Sequence, residues 1–328
     1  MGGKTQIEDL IQGLHAGEVR FLSKAITLIE SKAGRDMLLA DQLMNELDTS
    51  KVTSHRIAVT GVPGVGKSTF IERLGLHYIS QGKKVAVLAI DPSSRFSHGS
   101  ILGDKTRMEK LSVEKNAFIR PSPAAETLGG VAQKTRESIL LCESAGYDII
   151  IVETVGVGQS EIAVKDMVDT FLLLMLAGAG DELQGIKRGI MEMADILVIH
   201  KAEEEVIGKA RDAASQYRSA LHLLGSHSTW NPKVELMSSY TGLNEEKVFV
   251  ALQEHLEFLR SSGDLEEQRK LQQSMWFEKS LDEEILRSFF GKEAFRTLKE
   301  ECLEGMRSGR ISSRSALNLM KKGSGLGT

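Results

Sequence analysis

Three short strings in this chain bring together residue types that do chemistry in company. The first is Gly61-Val62-Pro63-Gly64-Val65-Gly66-Lys67-Ser68-Thr69, a glycine-rich stretch ending in a lysine and two hydroxyls. Glycines at this spacing let backbone N–H groups converge on an anion, the Lys67 ammonium reaches terminal phosphate oxygens, and the Ser68 hydroxyl suits a magnesium position. A chain of this length matches G-x-x-x-x-G-K-[ST] by chance about 0.01 times. Here the match follows the apolar run Arg56-Ile-Ala-Val-Thr60 and precedes an amphipathic segment carrying Phe70, Ile71, Leu74 and Tyr78. It reads as a phosphate-binding loop between a strand and a helix. Val62 and Pro63 occupy the stretch where ParA-like ATPases carry an additional lysine, which argues against that branch and leaves small-molecule kinases open.

The second string is a pair of carboxylates at strand ends. Ala89-Ile90-Asp91-Pro92 places Asp91 beside the phosphate loop, where it can hold a magnesium-bound water or orient an attacking one. Asp148-Ile-Ile-Ile-Val-Glu153 delivers Glu153, followed three residues later by Gly156. Carboxylate-x-x-Gly at a strand end is the arrangement in which the acid holds magnesium through water and the glycine N–H senses the γ-phosphate. Glutamate in place of aspartate has a longer reach, which suits an outer-sphere contact. The third string is His200-Lys201-Ala202-Glu203, a variant of the N-K-x-D guanine motif. A carboxylate at position 203 accepts the ring N–H and amine of guanine and repels the lone pair of adenine, at about 1.5–3 kcal/mol per charge-assisted hydrogen bond. Ser238-Ser239-Tyr240 then stands where a further loop offers backbone N–H groups to the base carbonyl. Order and spacing point to GTP and GDP with Mg2+ as the bound species.

These strings need a scaffold that gathers strand ends. Seven short β-prone runs, Ile57–Thr60, Val85–Ile90, Ala117–Ile119, Ile149–Val152, Phe171–Met175, Ile196–Ile199 and Val234–Met237, alternate with longer polar-apolar segments. That alternation predicts an α/β fold, a P-loop NTPase with a mostly parallel central sheet flanked by helices. All five prolines fall between residues 63 and 232, so both ends are free to be helical. Ile7, Leu10, Ile11, Leu14 and then Val19, Leu22, Ile26, Ile29 keep helical spacing and predict an N-terminal helical extension over 1–52. The P-loop domain spans 53–262. From 263 to 328 the β-prone runs stop and aromatics gather at Trp276, Phe277, Phe289, Phe290 and Phe295, which predicts a helical arm whose apolar surface needs a partner.

Composition removes several classes. With 41 basic and 45 acidic residues the net charge is -4, which argues against nucleic acid as the main partner. Cys142 and Cys302 form no C-x-x-C pair, so neither a disulfide framework nor a cysteine zinc site is expected, and a reducing cytoplasm fits. No apolar run reaches bilayer length, and the start of the chain lacks a secretory leader, so neither a membrane nor secretion is expected.

Assembled, these residues resemble the methylmalonyl-CoA mutase-associated GTPase family of MeaB/ArgK type, in the SIMIBI branch of P-loop proteins. The resemblance runs from about 56 to 262 and is most specific at Ser100–Met108, Arg120-Pro-Ser-Pro123 with Thr127-Leu-Gly-Gly130, Glu153–Glu161 and Gly180–Gly189. It implies that Asp104 and Arg107 are switch residues near magnesium and phosphate, and that 180–187 form a third switch loop sensing a partner enzyme. It further implies a cytoplasmic homodimer, joined through the C-terminal arm, that chaperones an adenosylcobalamin-dependent acyl-CoA mutase by gating cofactor delivery and protecting or reactivating it. Catalysis would use Lys67 and the loop N–H groups, Asp91, Asp104 and Glu153 around magnesium, and Arg107 as a nearby cation. The chain carries no D-x-H-x-x-G cobalamin string of its own. A kinase acting on a small molecule or a transport protein is the alternative reading, and a nucleotide-sensing scaffold a further one.

Overall fold

Each of the seven apolar runs forms a strand. In the computed structural model, which describes residues 2–48, 53–91, 108–123, 128–154, 160–177, 188–224, 230–290 and 293–323, they are β1 (His55–Gly61), β2 (Val85–Asp91), β3 (Ala117–Pro123), β4 (Ile149–Thr154), β5 (Thr170–Leu176), β6 (Ile196–His200) and β7 (Lys233–Leu236). They join in one sheet of order β3-β2-β4-β1-β5-β6-β7, and every pairing is parallel. The pattern explains the topology: β1, β4 and β6 are buried along their whole length, as strands covered on both faces must be. Because all strands point one way, their carboxyl ends share one edge, and that edge receives Gly61, Asp91, Glu153 and His200. Ligands of open parallel sheets bind outside this edge.

The helices in chain order are α1 (Gly2–His15), α2 (Val19–Glu30), α3 (Gly34–Glu46), α4 (Lys67–Ser80), α5 (Glu109–Ser112), α6 (Leu128–Ser144), α7 (Ser160–Lys165), α8 (Arg188–Glu192), α9 (Ile207–Leu224), α10 (Glu245–Ser262), α11 (Asp264–Phe290), α12 (Glu293–Arg307) and α13 (Ser313–Gly323). Ile7, Leu10, Leu14, Leu22, Ile26 and Ile29 are buried in the same core as the sheet, and α2 packs on α6. The N-terminal helices are thus part of the main core. Val19, which shares their spacing, is 45% exposed because it is the first residue of α2 and lies off the packed stripe. Arg120 on the edge strand β3 pairs with Glu30 at the end of α2.

The amino end of the sheet closes on itself. His55 Nε2 lies 2.7 Å from Thr170 Oγ1, which lies 2.8 Å from His255 Nδ1. Arg56 gives two N–H bonds to Glu143, at 2.7 and 2.9 Å. Asp169, fully buried, accepts the Arg56 backbone N–H and two bonds from Arg269. Burial alone would raise the Asp169 pKa, yet the bonds and charge of Arg269 hold it below the usual carboxylate range. Burial pushes His55 down to about 3, so this imidazole is neutral.

Residues 1–269 form one compact unit and 270–328 a second. Within the second, α12 packs on α13, with Cys302 and Ala316 buried between them. Both cysteines are free and buried. Along α11, Leu271, Met275, Phe277, Leu281, Ile285 and Leu286 are exposed.

Candidate functional site

The loop from β1 into α4 is shaped by positive backbone angles that favour glycine. Gly61 has φ +150, and a Cβ there would run into the Leu174 carbonyl of β5. Gly66 has φ +98 and caps α4, so the helix starts at Lys67 with its first N–H groups facing the loop. This is an anion cradle in backbone terms. Lys67 Nζ donates to the Gly61 carbonyl at 2.8 Å and to the Val62 carbonyl at 3.3 Å. The ammonium therefore rests on weak neutral acceptors that a phosphate can outbid. Desolvation lowers the Lys67 pKa, while the charges of Glu153 and Glu161 pull it back up.

Beside the loop, β4 ends in two buried side chains. Ser68 Oγ donates to Glu153 Oε1 at 3.2 Å, and Thr154 Oγ1 donates to Thr60 Oγ1 at 2.7 Å, joining β4 to β1. A hydroxyl and a carboxylate this close form the hard-oxygen pair that magnesium takes beside substrate phosphates. Among the described residues no cluster of three or more His, Cys, Asp or Glu forms an all-protein metal cage. The Ser68–Glu153 pair fits an ion shared with a nucleotide.

Across the loop lies the third string. His200 ends β6 and is buried; its Nδ1 lies 2.6 Å from the Val65 carbonyl and its Nε2 2.7 Å from Ser239 Oγ. Burial lowers its pKa, and the Val65 bond and Glu203 charge partly restore it. Lys201 has φ +57, a left-handed conformation that costs a non-glycine residue about 1–3 kcal/mol. Its Cε lies 3.7 Å from where a Gly66 Cβ would stand, so the lysine stem runs along the phosphate loop. Glu203 Oε1 accepts a 2.7 Å bond from Ser238 Oγ. Ala202 N–H donates to Met237 O, fixing this segment to the turn after β7. In that turn Ser238 and Ser239 are buried, whereas Tyr240 is 91% exposed.

The structure thus brings together Gly61 to Thr69, Glu153, His200, Lys201, Glu203, Ser238 and Ser239 at one sheet edge. Asp91 closes β2 at the same edge, in register with Pro123 of β3. Asp104, Arg107, Gly156 and the 180–187 loop lie outside the described residues. Two contributors carried no signal strong enough to find them. Glu161 on α7 is completely buried and acts electrostatically on Lys67. Arg73 of α4 makes a two-bond ion pair with Glu245 at the start of α10, tying the helix after the phosphate loop to the segment after the Ser238–Tyr240 turn. Its partners are 172 residues apart, which no local pattern reveals.

What this sheet and this edge define is a P-loop nucleotide hydrolase. The model of the family "Methylmalonyl Co-A mutase-associated GTPase MeaB" matches residues 22–294, and the chain belongs to that family. It is 45% identical to a putative GTPase of Caulobacter vibrioides over 98% of both chains. It is 43% identical to the mitochondrial methylmalonic aciduria type A homolog of Mus musculus, over 96% of this chain and 79% of that one. A solved structure titled LAO/AO transport system kinase superposes with a TM-score of 0.75 at 36% identity, covering 97% of each chain. The protein is accordingly a GTPase: it binds guanine nucleotide, hydrolyses GTP, and is linked through its family to methylmalonyl-CoA mutase. Among the described residues no helix is long and apolar enough to cross a membrane.

Proposed function

We propose that this GTPase is a cytoplasmic chaperone of an adenosylcobalamin-dependent acyl-CoA mutase of the methylmalonyl-CoA type. GTP hydrolysis times cofactor delivery and protects or reactivates the client. The observation that carries the reading is membership of a mutase-associated GTPase family over residues 22–294, with the phosphate loop intact within that span.

In the mechanism, residues 61–69 grip the phosphates, and Lys67 exchanges its backbone acceptors for β and γ oxygens as charge develops on them. Ser68, Asp91, Asp104 and Glu153 would hold Mg2+ and its waters, and the ion would supply neutralisation of the phosphate charge. Arg107 adds a cation, and the Gly156 N–H senses the γ-phosphate. Lys201 lies along the base face, Glu203 reads the guanine ring N–H and amine, and residues 238–240 meet its carbonyl. Among the described residues no side chain is placed as a general base. Unassisted turnover should therefore be slow, about 10⁻³ s⁻¹ or below, and rise when the client completes the site.

Residues 1–52 form the helical extension, 53–262 the GTPase domain, and 263–328 the arm through which two copies pair. The exposed Phe277, Leu281 and Ile285, four residues apart on α11, supply one apolar stripe for that pairing. Phosphate release measured with and without methylmalonyl-CoA mutase tests the proposal. Stimulation by the mutase, with GTP-dependent transfer of adenosylcobalamin, is expected. Equal rates and GTP-independent loading would overturn it, and label from the γ-phosphate appearing on an acceptor molecule would favour the kinase reading.

A further inference from the structure

His200 has both ring nitrogens engaged inside the protein. A carbonyl only accepts, so the proton between His200 and Val65, 2.6 Å apart, sits on Nδ1. In the neutral ring Nε2 is then an acceptor, and the Ser239 hydroxyl at 2.7 Å donates to it. The two ends belong to different parts of the site. Val65 lies in the phosphate loop two residues before Lys67, while Ser239 lies in the turn whose neighbouring Ser238 holds Glu203.

The ring is also walled in. It is 2% exposed, meets Phe70 edge-on with centroids 6.2 Å apart, and would stand 2.9 Å from a Cβ at Gly66. We infer that His200 is a positioning residue that makes no contact with the base: it latches the base-reading turn to the phosphate loop, so both halves of the receptor are set by one imidazole. This rests on the reading of 200–203 and 238–240 as the base-reading segments. Its consequence is unusual, because a change in the base turn is then felt at the phosphates.

The test uses magnesium pyrophosphate, a ligand with no base, titrated calorimetrically into the full chain alongside GDP. Each latch bond contributes about 0.5–1.5 kcal/mol, or roughly two- to tenfold in affinity. Ser239→Ala should weaken pyrophosphate binding about two- to fivefold although residue 239 lies in the base turn. His200→Ala should weaken pyrophosphate and GDP by similar factors, about tenfold. The double variant should bind no more weakly than His200→Ala alone. His200→Asn, whose amide can donate to Val65 and accept from Ser239, should recover part of the loss. Nitrogen-15 NMR should show the Nδ1–H form. Unchanged pyrophosphate affinity in Ser239→Ala, or additive losses in the double variant, would overturn the latch. Should His200→Ala not fold, Ser239→Ala alone decides, since it removes a single hydroxyl. Failure of guanine reading shows separately, as equal GDP and ADP binding by the unaltered protein, and leaves the pyrophosphate result standing.

Discussion

The two ends of the sheet treat their polar groups in opposite ways. At the amino end, Asp169, Arg269, Arg56, Glu143, His55, Thr170 and His255 saturate one another at 2.7–2.9 Å. At the carboxyl end, Lys67 leans on backbone carbonyls, Ser68 reaches Glu153 at 3.2 Å, and Lys201 is held in a left-handed conformation. A closed network of charges has nothing left to offer a ligand. A loosely satisfied one keeps its strongest donors in reserve, and strain at such a place persists only where the surroundings impose it. The contrast separates structural polarity from functional polarity without reference to any motif.

Breaking the closed end should cost the most. Asp169→Ala leaves the Arg269 guanidinium buried without its carboxylate and should destabilise the fold by about 3–5 kcal/mol, read from urea unfolding. A loss under 1 kcal/mol would mean that the pair is not buried in solution.

At the open end the expectation is reversed: Lys67→Ala should lower GTP turnover by about 10²–10³-fold while leaving the unfolding midpoint nearly unchanged. Single-turnover phosphate release and a thermal melt on the same sample check both halves. Retained turnover would remove Lys67 from the phosphate grip.

Acid should sharpen the comparison further. Burial holds His55 at about 3, against 6.5 for the free side chain, and lowers His255 and His200 as well. The unfolded chain therefore binds more protons below pH 6.5, so the stability these neutral rings contribute is complete above that value. For His55 it drains away as pH falls towards 3. From pH 7.5 to 5.5 His55 alone should cost about 1.4 kcal/mol, and His55→Gln should flatten the slope in urea titrations at the two pH values. The smallest effect belongs to Tyr240, whose side chain is 91% exposed. Tyr240→Ala should change stability by less than about 0.5 kcal/mol in the same urea assay, leaving any loss in GDP affinity as a direct reading of base contact.

Much of this was legible in the sequence, for a physical reason. Buried parallel strands must be continuously apolar, so Ile149-Ile-Ile-Val152 and Phe171-Leu-Leu-Leu-Met175 announce themselves. The phosphate loop is local, and its glycine spacing is the cradle. What the sequence hides is long-range polar chemistry. Asp169 and Arg269 are 100 residues apart, and nothing in either neighbourhood marks them as partners. His200 stood out as a departure from asparagine, but that its ring spans from Val65 to Ser239 depends on the register of β6 and β7. The buried Glu161 ends the string Glu153–Glu161, yet only the placement of α7 puts its charge near Lys67.

On the proposed function, His200-Lys201-Ala202-Glu203, with its altered first and last residues, still reads guanine. Calorimetric titration of the purified protein with GDP and with ADP, both with magnesium, decides this. Tight GDP binding with ADP at least about 100-fold weaker is the expected result, the discrimination that one or two charge-assisted bonds to Glu203 supply. Equal affinity for the two, or a preference for ADP, would contradict it.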